Sequence, residues 1–231
     1  MSGKEITIKA ADGGQFMGYL ATPASGRGPG IVVAQEIFGV NQVMRDLTDW
    51  LAKEGFVALC PDLFWRQEPG VQITDKSQEE WGKAFKLMQG FDFAKGMSDV
   101  QSGIKALRGM KECTGKVGVV GFCLGGRIAY AAATGTDADA AVSYYGVYLH
   151  EHLGETLKAP VMLHIAGEDE FFPKEGREAV KKALAGNAKA VIHEYPGRNH
   201  AFARVGGQHY HKGDADLANS RTISFLKSKL A

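Results

Sequence analysis

Residues 121–126 read GFCLGG: a cysteine among close glycines, after the apolar run KVGVV and before RIAYAAA. Where a strand turns directly into a helix, a tight, strained turn lifts the residue at its tip up from the sheet toward solvent. Close glycines give the turn room and let the helix pack. The positive end of the helix then favours thiolate over thiol. Cys123 in this place is a candidate nucleophile. The ordinary structural alternative is a small apolar residue in a Gly-rich turn, a common fate of free cysteine. A phosphate-binding turn is the weaker reading, because the stretch has neither a Walker lysine nor a G-x-G-x-x-G pattern.

A nucleophilic thiol needs a base, and the base needs a group to orient it. The apolar run VMLHIAG leads into EDEFFP and puts Asp169 just past a strand. The run VIHEYPG leads into RNHAFAR and puts His200 in the loop beyond the next strand. The chain order is Cys, Asp, His, which is the order of nucleophile, acid and base in α/β-hydrolases. The histidine would accept and return a proton. The aspartate would fix its tautomer and stabilise the imidazolium. Taken singly, Asp169 could cap the helix after Pro173, and His200 could be an ordinary loop residue. Together at strand ends they read as catalytic. Glu168 and Glu170 are close rivals, and the spacing to Gly167 and Pro173 favours Asp169.

Those strand ends must be held by a sheet. EITIKA and QFMGYLA flank a turn at Asp12–Gly13 and predict a β-hairpin. Short apolar runs follow at GIVVA, FVALC, KVGVVG, DAAVSYY, APVMLHIAG and KAVIHEY, as strands covered on both faces require. Helical patterns lie between them. Over 42–54, Val43, Leu47, Trp50 and Leu51 share a face. Further helices are predicted over 77–90, 92–109 and 173–186. A final helix is predicted from Asp214 onward, where Leu217, Ile223, Leu226 and Leu230 align. This alternation predicts an α/β fold: a mainly parallel sheet of about eight strands, flanked by helices on both faces. No linker or repeat separates two cores, so residues 1–231 read as one domain. In such sheets ligands bind beyond the carboxyl ends of the strands.

The composition excludes several classes. The chain has 231 residues, and 45% of them are hydrophobic, enough for a large core. A net charge of +1 gives no pull toward nucleic acid or a membrane surface. No apolar run approaches the roughly 18 residues of a membrane span, and MSGKEITIKA lacks the apolar stretch of a signal peptide. Three widely spaced cysteines without a CxxC pair suit neither zinc nor a disulfide framework. A reducing cytoplasm is the expected setting.

The whole chain resembles the dienelactone hydrolases, also called carboxymethylenebutenolidases. The resemblance is carried by QEIFGVN (35–41), CPDLFWRQEPG (60–70), KVGVVGFCLGG (116–126), YYGV (144–147), GEDEFFP (167–173) and HAFAR (200–204). It implies an α/β-hydrolase fold, no cofactor or metal, and hydrolysis of a lactone ester bond. By the resemblance Cys123 is the nucleophile, Asp169 the acid and His200 the base. Glu36 would take the thiol proton when substrate arrives. The backbone N–H groups of Ile37 and Leu124 would form the oxyanion hole, as the general rule for the fold also expects. Arg204 would hold a substrate carboxylate, with Phe38 and Tyr145 also at the substrate. Where the family carries a second arginine, a tyrosine and a tryptophan, this chain has Trp81, Phe85 and Met88. These substitutions predict a wider and more apolar pocket.

Other residues read as structural. His209 and His211 lack the companions of a metal site. Asp62 organises its loop, Cys60 is inert core, and Cys113 lies at an exposed helix–loop junction. The expectation is therefore a Cys-dependent hydrolase of a small, sometimes anionic, lactone or ester, working as a monomer without nucleic acid or membrane. The rival readings are a promiscuous carboxylesterase or thioesterase for larger apolar acyl groups, and a non-catalytic thiol sensor. Intact acid and base partners argue against the sensor.

Overall fold

The computed structural model describes residues 3–231. The chain forms two compact units, one ending at Gly118 and the other spanning Val119–Ala231. The first opens with the hairpin of β1 (Lys4–Lys9) and β2 (Gln15–Ala21), paired antiparallel with Ile6 opposite Gly18. Strand β2 runs antiparallel to β4 (Val57–Pro61), and β3 (Gly28–Ala34) runs parallel to β4. Helices α1 (Gln42–Lys53), α2 (Gln78–Gln89) and α3 (Phe93–Arg108) begin at Asn41, Ser77 and Asp92. Each of these side chains accepts a hydrogen bond from a first-turn N–H, which is why the helices start there.

Two expectations for this unit are corrected. The buried face of α1 is Met44, Thr48, Leu51 and Ala52; Val43, Leu47 and Trp50 are only half-buried. Thr48 can turn inward because its hydroxyl donates to the Met44 carbonyl at 2.7 Å. Cys113 is no exposed junction residue either. It opens strand β5 (Cys113–Phe122) and is buried.

The second unit takes up the end of β5, then α4 (Leu124–Gly135), β6 (Ala140–Tyr144), β7 (Val161–Ala166), α5 (Lys174–Leu184), β8 (Ala190–Tyr195) and α6 (Lys212–Leu230). Strands β6, β7 and β8 are parallel, with Met162 opposite both Val142 and Val191. The eight strands are ordered β1-β2-β4-β3-β5-β6-β7-β8. Side-chain alternation along β7 covers both faces of the second unit. Leu163 and Ile165 pack with Tyr130 of α4 and Val180 and Leu184 of α5. His164 points the other way, toward Thr222 of α6 at 2.9 Å.

This polar layer changes the inner face of α6 from the expected one. Ala215, Ala218, Thr222, Phe225, Leu226 and Leu230 are buried, Ile223 is half-buried, and Leu217 is 43% exposed. Small residues let the helix approach, and Thr222 Oγ1 meets both His164 Nε2 and the Tyr144 hydroxyl, the latter at 2.6 Å. His164 Nδ1 lies 2.8 Å from the Tyr195 hydroxyl. Burial, and then the nearby His193 and Arg221, hold His164 well below its ordinary pKa, so the folded ring is neutral. A depressed folded pKa means that the unfolded chain takes up the proton first. Stability from this site is present above about pH 6.5 and lost as the pH falls below it, by up to about 1.4 kcal/mol per pH unit for one proton. Melts from pH 7 to 5 should therefore show a falling Tm, with a shallower acid slope in His164→Asn.

Candidate active site

The backbone at the end of β5 is strained where the chemistry is expected. Cys123 has φ 56° and ψ −116° and stands directly before α4. Its N–H donates to the Tyr144 carbonyl at 3.1 Å, and its own carbonyl accepts from Arg127 N–H at 3.2 Å. The flanking glycines are steric requirements. A Cβ on Gly121 would lie 1.8 Å from the Gly125 carbonyl oxygen, and one on Gly126 would lie 2.7 Å from the Tyr144 carbonyl oxygen. An open, solvent-facing nucleophile was expected; Cys123 is instead only 8% exposed. The turn after β6 folds back over it, bringing Val147 N–H to the Cys123 carbonyl at 3.4 Å.

Asp169 follows β7 and is buried, as is His200 after β8. His200 Nδ1 lies 2.9 and 3.0 Å from the two Asp169 carboxylate oxygens. The same carboxylate accepts Phe171 N–H at 2.9 Å. The two loops are also joined through Asn199. Its side-chain oxygen accepts Glu170 N–H at 3.0 Å and His200 N–H at 2.6 Å. Burial alone would disfavour a charged His200 ring. The interactions with the Cys123 sulfur and the Asp169 carboxylate overcome it and raise the pKa of His200 to about 10. Phe171 and Tyr145 set their rings edge-on to the imidazole, with centroids 5.0 and 5.1 Å away.

Of the acidic rivals, Glu170 is exposed and pairs with His209 at 3.4 Å, and Glu168 gives its N–H to the Arg198 carbonyl. Among the described residues no group of three His, Cys, Asp or Glu is placed to hold a metal ion. His211 caps α6 by accepting Asp214 N–H. Arg204 sits in the turn after His200, half-buried. Tyr145, like Cys123, has positive φ, at 37°.

In the first unit, Glu36 and Ile37 are buried just past β3. Trp81 is half-buried, packs its ring edge-to-face with Phe38 at 5.0 Å and stacks on Phe85 at 5.4 Å. Phe85 remains 38% exposed and Met88 is half-buried. Lys83 pairs with Glu68 at 2.6 Å. Cys60 is fully buried, and burial pushes its thiol up, as an inert core residue requires. Asp62 accepts Phe64 and Gly70 N–H groups and does organise its loop.

Sequence reasoning missed Asn199, Phe171 and the His164 layer. A histidine inside the otherwise apolar VMLHIA was the available signal for the last.

A mainly parallel α/β sheet with a cysteine at a strained strand-to-helix elbow, and an aspartate-bound histidine beyond later strands, defines the α/β-hydrolase class. The chain belongs to the dienelactone hydrolase family, whose sequence model matches residues 16–230. A protein of Azospirillum brasilense, provisionally named a carboxymethylenebutenolidase, is 50% identical and covers 98% of this chain and 99% of its own. The carboxymethylenebutenolidase of Pseudomonas putida is 39% identical, covering 96% of this chain and 94% of its own. A crystal structure from Klebsiella pneumoniae, provisionally named a dienelactone hydrolase, superposes with a TM-score of 0.84 at 29% identity over 96% of each chain. The protein is thus a lactone or ester hydrolase of this family. No helix among the described residues is long and apolar enough to cross a membrane.

Proposed function

We propose that the protein opens small lactones and esters through an acyl-thioester on Cys123, with His200 and Asp169 completing a triad. The observation that carries this reading is the buried His200 ring, bonded to Asp169 at 2.9 Å and charge-coupled to the Cys123 sulfur. The thiolate attacks the carbonyl carbon. The oxyanion would be held by the Leu124 N–H at the head of α4 and, by the family resemblance, by that of Ile37. When the ring C–O bond breaks, the leaving oxygen takes the proton from the His200 imidazolium. The sulfur is now acylated and neutral, so one charge that held the proton on His200 is gone. The ring becomes a base at neutral pH, takes a proton from water, and the hydroxide carbon–oxygen bond forms as the thiolate leaves. One histidine therefore acts as acid, then as base. Mass spectrometry of a rapidly quenched turnover should find the acyl group on Cys123; an unmodified Cys123 during steady turnover would remove the covalent route.

The family resemblance assigns Glu36 to thiolate formation. Glu36→Gln should then slow alkylation of Cys123 at neutral pH several-fold, with the difference shrinking above the ordinary thiol range near about 8.5. Equal rates at every pH would discard the role. Cys113 is buried to the same degree as Cys123, so the comparison is made in a Cys113→Ala background.

For the substrate we propose a small acyl group, preferred when it carries a carboxylate. Arg204 supplies a planar guanidinium for it, a contact typically worth ~1.5–3 kcal/mol. Trp81 and Phe85 in place of polar family residues make that preference weaker and tolerate more apolar bulk. Paired lactones differing only in a free carboxylate or its methyl ester test this through kcat/KM. A preference for the acid should be present in wild type and vanish in Arg204→Ala. No preference, or one untouched by the mutation, favours the broader esterase reading. Free thiols suit a reducing cytoplasm, where we place the reaction.

A further inference from the structure

Arg177 occupies the first turn of α5, and its side chain is only 6% exposed. A cation there gains nothing from the helix, whose N-terminal end is itself positive. A buried charge is also costly unless its donors are satisfied. Its bonds show what satisfies it. Nη1 donates to the Asp169 carbonyl at 3.0 Å and to the Phe172 carbonyl, and Nη2 donates to the Gly167 carbonyl at 2.6 Å. No carboxylate among the described residues pairs with it. Helix side chains lean toward the N-terminus, which brings the guanidinium back over the turn that precedes α5.

All three acceptors lie in Gly167–Phe172, and they bracket Asp169. The turn has little repeating structure of its own to fix it. Asp169 must nonetheless keep its carboxylate within 3 Å of His200 Nδ1. A planar fork that ties carbonyls before, at and after Asp169 restricts the backbone that aims the carboxylate. Lysine has a point charge and cannot span the three acceptors in the same way.

We propose that Arg177 is a positioning residue: it clamps the turn that carries Asp169 and so sets the aim of the His200–Asp169 pair. This rests on the triad reading given above. It predicts that Arg177→Lys and Arg177→Ala each lower the turnover rate per active site. A misaimed catalytic group typically loses on the order of 10²-fold, so a fall of roughly 10- to 100-fold is expected. The lysine variant preserves charge and much of the helix, which keeps the test interpretable if the alanine variant folds poorly.

The experiment counts working sites by stoichiometric labelling of Cys123 and divides kcat by that count. A purely structural role lowers the number of sites and leaves the rate per site unchanged. Guanidinium ion, added to Arg177→Ala far below denaturing concentrations, should restore part of the rate, and should leave Arg177→Lys and wild type unchanged. Wild-type rates per site in both variants, or a loss that guanidinium never relieves in well-folded Arg177→Ala, overturn the proposal. Asp169→Asn in parallel separates the two readings. If it is inactive while the Arg177 variants are normal, the positioning inference fails alone. If Asp169→Asn is itself fully active, the triad reading fails.

Discussion

Cys123→Ala should lower ester hydrolysis by on the order of 10⁴-fold or more, because a nucleophile that acts with a base and an oxyanion hole is lost as a unit. The fold should survive. The left-handed backbone at Cys123 is no better suited to cysteine than to alanine, and the flanking glycines that make the turn possible remain. Cys60→Ala should give the opposite result. Cys60 is fully buried in β4, so removing its sulfur leaves a void and costs about 1 kcal/mol or more of stability. Its catalytic rate should match wild type. Melts and initial rates on the two variants give a crossed pattern: Cys123→Ala loses activity while keeping its fold, and Cys60→Ala loses stability while keeping its rate. Activity retained in purified Cys123→Ala would reject the nucleophile assignment. Normal stability with lost activity in Cys60→Ala would mean the wrong thiol had been chosen.

The site was readable in the sequence to the extent that it depends on chain order and on glycine. Apolar runs of five to nine residues marked the strands, and whatever followed each run had to lie at a strand end. That logic places Cys123, Asp169 and His200 without any contact information. It could not choose Asp169 from Glu168 and Glu170 on chemistry, since all three are carboxylates; the bond to His200 does that. Helix faces were harder. Periodicity counted apolar side chains, so it preferred Leu217 and Val43 to Thr222 and Thr48. Both threonines are buried because their hydroxyls find partners, Thr48 on its own helix and Thr222 in the layer around His164. Such pairings join residues far apart in the chain and leave no periodic trace. Arg177 escaped notice for a related reason. In KEGREAVKKAL it reads as one more surface charge, and only the carbonyls of the preceding turn explain its burial.

Asp169→Asn should cost on the order of 10⁴-fold in kcat, as loss of the orienting carboxylate does in other triads. The change in size is negligible, so the effect isolates charge and tautomer. In wild type the carboxylate accepts the Nδ1 proton and leaves Nε2 to exchange protons with the reacting groups. An amide can turn its NH₂ toward Nδ1, which shifts the neutral ring's proton to Nε2 and removes the base. Charge is lost as well. Burial works against the imidazolium, and the Cys123 sulfur and Asp169 together raise the ring to about 10. A raised pKa means the imidazolium is present below that value and lost as the pH rises through it. The alkaline limb of kcat/KM, which reports the free enzyme, should therefore lie near pH 10 in wild type. In Asp169→Asn it should move toward lower pH, because only the sulfur then opposes desolvation. Glu170→Gln is the matched control: Glu170 is exposed and faces His209, so its rate should stay within about twofold of wild type. A kcat in Asp169→Asn within tenfold of wild type and an unmoved alkaline limb would take Asp169 out of the triad. A shifted limb with a small rate loss would instead assign it to proton affinity alone and leave ring orientation to Asn199, Phe171 and Tyr145.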